Sequence, residues 1–302
     1  MRADQCVPHF HDDDDECTHG RFEAGAGNGL GRATARRLLL AGDTVIGLDV
    51  SAAGLASLEA EFQSSMMGIV CNVADPVSVA EAAAKVRTRS GGVPCLDCII
   101  NFAGLIRGGP LVEIEDKQMQ LILNVNVFGT FLINKYFYPL LKTDRAGGYV
   151  PRIVNTASEV AYAGLCAGFN GPYSATKMAV YKLSEALRQE LGLMRRPVAV
   201  LTLCPGAFDT DMVVAASSDF YDAAVKQTPF AHALRQGGKS AAAYIALSKA
   251  PAWQLADRLF NEVHARKPAS NLILCNVSPI MVMLQFVPAA LLDAQTRWML
   301  GN

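Results

Sequence analysis

Tyr173 and Lys177 are the residues whose types and spacing most invite chemistry. They open Pro172-Tyr173-Ser174-Ala175-Thr176-Lys177, at the start of an amphipathic stretch that runs to about Leu191. On a helix this spacing stacks the two side chains on one face, one turn apart. An ammonium held near a phenol favours the phenolate and lowers a pKa that is normally about 10. A phenol tuned in this way can pass a proton to or from a substrate oxygen. An ordinary amphipathic helix can also carry a Tyr and a Lys, so the pair gains meaning only from its surroundings.

Those surroundings begin with a glycine-rich turn, Ala24-Gly25-Ala26-Gly27-Asn28-Gly29-Leu30-Gly31, followed by a helical stretch from Arg32 to Ala41. Thr44-Val45-Ile46-Gly47-Leu48-Asp49 then reads as a short strand closed by a carboxylate. Glycines at such a turn let the backbone approach a pyrophosphate, which the helix N-terminus stabilises. A carboxylate ending the next strand suits the two hydroxyls of an adenine ribose and repels a 2′-phosphate, which favours NAD over NADP.

Strand and helix keep alternating. Strands are predicted at Met67–Cys71, Leu96–Ile100, Arg152–Asn155 and Val198–Leu203, and helices at Pro76–Arg89, Asp116–Leu141 and from Tyr173. That order predicts an α/β fold, a doubly wound parallel sheet with helices on both faces in a single domain. Ligands on such sheets lie beyond the C-terminal ends of the strands. Gly25–Gly31, Asp49, Asn101–Gly104, Ser158 and Pro205 all fall there.

In order and spacing these motifs resemble the short-chain dehydrogenase/reductase family over about residues 24 to 285. Gly25, Gly29 and Gly31 match its T-G-x-x-x-G-x-G loop, with Ala24 in the threonine's place. Asn101-Phe102-Ala103-Gly104 is similar to its N-N-A-G motif, with Phe102 replacing the second asparagine. Asn126, Ser158, Tyr173 and Lys177 match its catalytic tetrad, and Pro205-Gly206 with Thr210 its nicotinamide-carboxamide segment. The resemblance implies a Rossmann-like fold and hydride transfer between NAD(H) and an alcohol or carbonyl. Tyr173 would be the general acid/base, Lys177 would lower its pKa and bind the nicotinamide ribose, and Ser158 would hydrogen-bond the substrate oxygen. Asn126 would hold a water joining Lys177 to solvent. The implied cofactor contacts are Gly25, Asn28, Gly29, Leu30, Gly31, Asp49, Asn72, Val73, Asn101, Ala103, Gly104, Tyr173, Lys177, Pro205, Gly206 and Thr210. By the same analogy the chain pairs as a homodimer or homotetramer through helices near 116–142 and 173–193.

Three departures from that pattern carry expectations. Fourteen residues separate Ser158 from Tyr173, which predicts a small insertion in Glu159–Gly171. Ala24 and Phe102 each remove a polar side chain from the cofactor loops. The third concerns Cys17-Thr18-His19-Gly20-Arg21-Phe22-Glu23, which stands where a central first strand belongs yet offers one large apolar residue. A central parallel strand is normally a continuous hydrophobic run. The expectation is therefore a first strand that is degraded or missing, with residues 1–23 an acidic, disordered leader and 24–302 the folded domain. A catalytically impaired NAD-binding protein is the alternative this leaves open.

Composition bounds the rest. The chain has 302 residues, half of them hydrophobic, and a formal net charge of −1, which leaves no nucleic-acid footprint. Its acidity is concentrated in Asp4, Asp12, Asp13, Asp14, Asp15 and Glu16. Eight scattered cysteines without a secretory signal predict reduced thiols and a cytoplasmic, intracellular protein. Neither Cys95-Leu96-Asp97-Cys98 nor the leader's His9, His11, His19 and Cys17 has the framework of a metal site, so no metal is expected. Met212–Val214, Phe220-Tyr221 and Pro229-Phe230 take the place of a substrate lid. After a predicted helix at Leu255–Ala265 and a last strand at Asn271–Val277 comes an apolar tail, Ile280 to Leu300. It contains Gln285, Pro288 and Asp293 and no uninterrupted span-length run, which excludes a transmembrane helix. The tail is left to a subunit interface, an apolar pocket wall or peripheral contact with a membrane. A moderately lipophilic substrate, similar to a steroid, a retinoid or another hydroxy- or keto-lipid, goes with it.

Overall fold

The computed structural model describes residues 20–143, 149–162, 168–194, 198–213, 228–274, and 291, 294 and 297. Seven parallel strands form one sheet: β1 (Gly20–Ala24), β2 (Thr44–Asp49), β3 (Met66–Val70), β4 (Cys98–Asn101), β5 (Arg152–Thr156), β6 (Ala199–Pro205) and β7 (Asn271–Leu274). Their spatial order is β3-β2-β1-β4-β5-β6-β7, so the chain reverses direction across the sheet between β1 and β4. Such a switch point opens a crevice beyond the strand ends.

Local chemistry accounts for the helices that follow the first strands. Asn28 caps α1 (Gly29–Leu40) by accepting from Gly29 N, and Ser51 caps α2 (Ala52–Phe62) by accepting from Gly54 N. Asp75 caps α3 (Pro76–Arg89) by accepting from Val77 N, with proline preset at the first turn. Beyond β4 come α4 (Asp116–Leu123), one π turn (Asn124–Phe128) and α5 (Gly129–Phe137), where the sequence predicts a single long helix. In the π turn Gly129 N–H reaches back five residues to Asn124 O. Next are α6 (Glu159–Tyr162), α7 (Gly171–Gly192), α8 (Ala231–Ser248) and α9 (Ala252–His264). α9 buries Leu255, Ala256, Leu259 and Val263, one stripe at helical spacing, against the α1 side of the sheet. The sheet is thus covered on both faces. One core cluster gathers Phe22, Ile99, Ile133 and Phe137, and the other Leu38, Val45, Ile100, Val154 and Leu259.

The first strand is present, which corrects the expectation of a missing or degraded one. β1 pairs with β2 from Gly20↔Thr44 to Ala24↔Leu48, and with β4 from Arg21↔Cys98 to Ala24↔Asn101. Gly20–Glu23, which the sequence reading placed in the leader, therefore belong to the sheet. Hydrophobic pattern misjudged this strand because sheet pairing uses the backbone, and Arg21 is satisfied by residues remote in sequence. Its Nε donates to Asp43 Oδ2 at 3.1 Å and its Nη1 to Tyr149 Oη at 2.8 Å, while Nη2 lies 2.9 Å from His264 Nε2. Burial works against the charge on Arg21, yet Tyr149 and Asp43 outweigh it and hold the pKa above its usual range. Phe22 turns to the opposite face and stacks on Phe137 with ring centroids 3.8 Å apart.

Predicted features that fall on residues 1–19, on 163–167 of the Ser158–Tyr173 loop, on most of the lid and on the apolar tail lie outside the described residues. β7 is seen from Asn271 to Leu274, and the remainder of that predicted strand is likewise outside them.

Candidate active site

The glycine loop closes on itself through contacts that leave no room for side chains. Gly25 has φ +91°, and a Cβ there would lie 2.7 Å from Ala103 N. A Cβ on Gly31 would lie 1.9 Å from Gly25 O, so α1 starts directly against the loop. Gly29, Leu30 and Gly31 of its first turn line the crevice, and a helix N-terminus stabilises an anion. At the end of β2, Asp49 Oδ2 accepts from Gly27 N and Oδ1 from Ser51 N, each at 2.9 Å. This fixes the carboxylate, and each oxygen keeps a lone pair for a further donor such as a sugar hydroxyl.

The loop opens into a cavity of about 450 Å³, within the range that holds small-molecule ligands. Its lining includes Gly25, Asn28, Gly29, Leu30, Gly31, Asp49, Asn72, Val73, Ala103, Gly104, Tyr173, Lys177, Pro205, Gly206 and Thr210. Across the mouth, Asn28 Nδ2 donates to Asp211 Oδ2 at 2.8 Å. Asn101 is the predicted contact that does not line the cavity. It is buried, and its Nδ2 donates to Asn134 Oδ1 at 2.9 Å and Asn155 Oδ1 at 2.7 Å. Asn155 continues the network to Ser184 Oγ at 3.1 Å, joining β4, α5, β5 and α7. Asn101 thus braces the strand that carries the cofactor loop, a role set by partners that local sequence does not reveal.

On the lining of the same cavity, α7 presents Tyr173 and Lys177 one turn apart. Lys177 Nζ donates to Thr156 O at 2.9 Å and lies 5.8 Å from the Tyr173 ring centre. Burial lowers its pKa to about 8. Burial also pushes the half-buried Tyr173 phenol up to about 12; a hydrogen bond with Ser158 pulls it down, and Glu159 adds to the rise. The sequence predicts a phenol lowered by Lys177. Here desolvation is the largest influence, because the ammonium is held at Thr156 O and does not bond the phenol oxygen. Asn126 sits in the π turn, buried. Its Oδ1 accepts from Leu105 N at 2.9 Å, and its Nδ2 donates to Leu105 O and Thr176 Oγ1, both at 3.0 Å. It therefore ties the loop after β4 to α7 beside Lys177. A Cβ on Gly104 would come within 3.3 Å of Asn126 Oδ1 and 3.4 Å of Lys177 Nζ, so the three converge tightly.

Sequence reasoning passed over Thr176, Thr156, Asn134 and Ser184, which hold these groups in place. It also passed over Ile106 and Val125, which line the cavity together with Met212 of the expected lid. The Cys98 thiol is buried, and desolvation is the largest influence that pushes it up to about 12.

A glycine loop at a sheet switch point, a carboxylate closing the next strand and a Tyr/Lys pair facing both define a dinucleotide-binding α/β oxidoreductase. The short chain dehydrogenase family model matches residues 24–220, and the chain belongs to that family. It is 30% identical over 230 residues to the 3-oxoacyl-[acyl-carrier-protein] reductase FabG of Salmonella typhimurium, covering 75% of this chain and 88% of that one. A short-chain dehydrogenase from Streptomyces avermitilis superposes with a TM-score of 0.73 at 23% identity, covering 94% of this chain and 97% of that one. A Burkholderia phymatum short chain dehydrogenase/reductase in complex with NAD gives a TM-score of 0.73 at 23% identity, covering 92% and 95%.

Proposed function

We propose that the protein interconverts an alcohol and a carbonyl on a moderately lipophilic substrate, with NAD(H) as the hydride carrier and Tyr173 as general acid/base. The observation that carries this reading is a single cavity lined by Tyr173 and Lys177 together with the glycine loop and Asp49. Gly25, Gly29, Gly31 and the α1 N-terminus would hold the diphosphate, and Asp49 the adenine ribose. Lys177, anchored on Thr156 O, would hold the nicotinamide ribose. When bound, the nicotinamide supplies or accepts the hydride. Asp49 favours NAD, since a 2′-phosphate beside a carboxylate pays like-charge repulsion.

With the phenol near 12, Tyr173 is protonated at neutral pH and is ready to give its proton to a carbonyl oxygen. Ser158 steadies the charge that develops on that oxygen. Alcohol oxidation needs the phenolate and should therefore accelerate as pH rises. The Ile106, Val125 and Met212 side of the cavity supports an apolar substrate. The FabG likeness adds 3-oxoacyl chains to the steroid- and retinoid-like candidates. Leu121, Phe128, Phe131 and Leu183 on α4, the π turn, α5 and α7 are exposed apolar residues, which supports pairing of two or four copies through these helices. Among the described residues no helix is long and apolar enough to cross a membrane.

The test is a panel of 3-oxoacyl thioesters, ketosteroids and retinoid aldehydes, assayed with NADH and NADPH in wild type and Tyr173→Phe. Tyr173→Phe should lose about 10²–10⁴-fold in kcat while keeping NADH affinity within about twofold. Binding without turnover on every substrate would contradict the catalytic reading.

A further inference from the structure

Among the described residues, the buried carboxyl of Glu23 is given no role by the resemblance or the comparisons. It is fully buried in the middle of the sheet, one residue before Ala24 and the glycine loop. Neither oxygen has a hydrogen-bond partner among the described residues. Its Oε1 lies 2.9 Å from the point a Cβ on Gly31 would occupy, the same point that Gly25 O approaches to 1.9 Å. The carboxyl therefore sits directly behind the Gly25–Gly31 contact, under the turn whose outer side faces the cavity.

Its neighbours offer no compensating charge. In register, Glu23 lies between Gly47 of β2 and Ile100 of β4. The ionisable group that acts on it is Asp49 at the end of β2, a like charge. The buried face of α1 contributes Gly31, Thr34, Ala35, Leu38 and Leu39. Arg21, two residues back on the same strand, is turned to Asp43, Tyr149 and His264. On α9, Asp257 is paired with Arg37.

We propose that Glu23 is a charge gate on the dinucleotide site: the glycine loop holds the cofactor's diphosphate while this carboxyl is protonated, and its grip weakens when the carboxyl ionises. The inference rests on the reading of the cavity as a nicotinamide-dinucleotide site. A buried carboxylate behind the loop and a diphosphate in front of it compete for the same positive helix end and repel each other across water-free backbone. By linkage, a bound diphosphate makes Glu23 harder to ionise, so binding takes up a proton in the range where the free protein has lost it. Burial, with Asp49 adding to it, raises the Glu23 pKa well above the ordinary carboxyl value.

The experiment is NADH titration by nicotinamide fluorescence from about pH 6 to about pH 9, in wild type and in the isosteric, uncharged Glu23→Gln. The two should bind alike at the acid end, and wild type should bind about tenfold more weakly at the alkaline end. Lys177 also titrates here, but equally in both proteins, so the difference between them isolates Glu23. Calorimetry of wild type in two buffers of different ionisation enthalpy should show proton uptake on binding. Parallel pH profiles, or no proton uptake by wild type, would overturn the gate while leaving the dinucleotide site intact. No NADH binding by either protein at any pH would overturn the site reading and the gate with it. If Glu23→Gln does not fold, Glu23→Val carries the same comparison, and the wild-type calorimetry needs no variant.

Discussion

β1 and β4 lie side by side at the sheet switch point and solve the same burial problem in opposite ways. β4 is Cys98-Ile99-Ile100-Asn101, apolar until Asn101, whose Nδ2 donates into the Asn134–Asn155–Ser184 network. β1 is Gly20-Arg21-Phe22-Glu23-Ala24, with charged residues at alternate positions that share one face of the sheet. Arg21 has an ion pair and two further polar contacts, whereas Glu23 has no hydrogen-bond partner among the described residues. A buried ion pair with its partners in place holds together, but an isolated buried charge costs so much that the group prefers to stay neutral. The contrast thus lies less between the two strands than between the two ends of β1. The lower end is a locked ion pair, and the upper end is a carboxyl that changes character with pH next to the cofactor loop.

The largest effect should come from breaking the lock. Arg21→Ala leaves Asp43 buried beside His264 and should cost about 3–5 kcal/mol, read as a lower denaturation midpoint. A loss below about 1 kcal/mol would mean the ion pair does not hold β1 in the sheet. Next is the network on the β4 side. Asn155→Ala leaves Asn101 and Ser184 short of partners and should cost about 1–3 kcal/mol, with a matching loss of activity as α7 loosens against β5. The smallest effect concerns Glu23. Its folded pKa is raised above the unfolded value, so its contribution to stability is full at acid pH. That contribution is lost as pH rises from the ordinary carboxyl value through the raised one. Wild-type melting temperature should therefore carry a downward component as pH rises above the ordinary carboxyl value. Glu23→Leu should remove that component and melt higher at the alkaline end. Equal slopes in the two proteins would assign the titration elsewhere.

Much of the fold and the site could be read from the sequence wherever the signals are local. The glycine loop, Thr44–Asp49, Pro76–Arg89 and the Tyr173 helix each combine periodicity with a cap or a turn residue nearby. What escaped depends on distant partners. Arg21 looks unfit for a central strand until Asp43, Tyr149 and His264 are brought to it from 22, 128 and 243 positions away. Asn101 reads as a cofactor contact until its buried partners on α5 and β5 appear. The π turn that carries Asn126 has no sequence mark beyond the asparagines themselves. α2 could have been anticipated from the Ser51 cap and from Leu55 and Leu58 at helical spacing. The Tyr173 electrostatics also depend on tertiary burial, which spacing along a helix cannot report.

The most direct test of the account is amide hydrogen exchange at Phe22, Glu23 and Ala24, compared with Ile99 and Ile100 of β4. If β1 is an integral central strand, its amides should exchange as slowly as those of β4 and open only with global unfolding. Exchange in β1 orders of magnitude faster than in β4 would show that the strand frays on its own and would contradict the account.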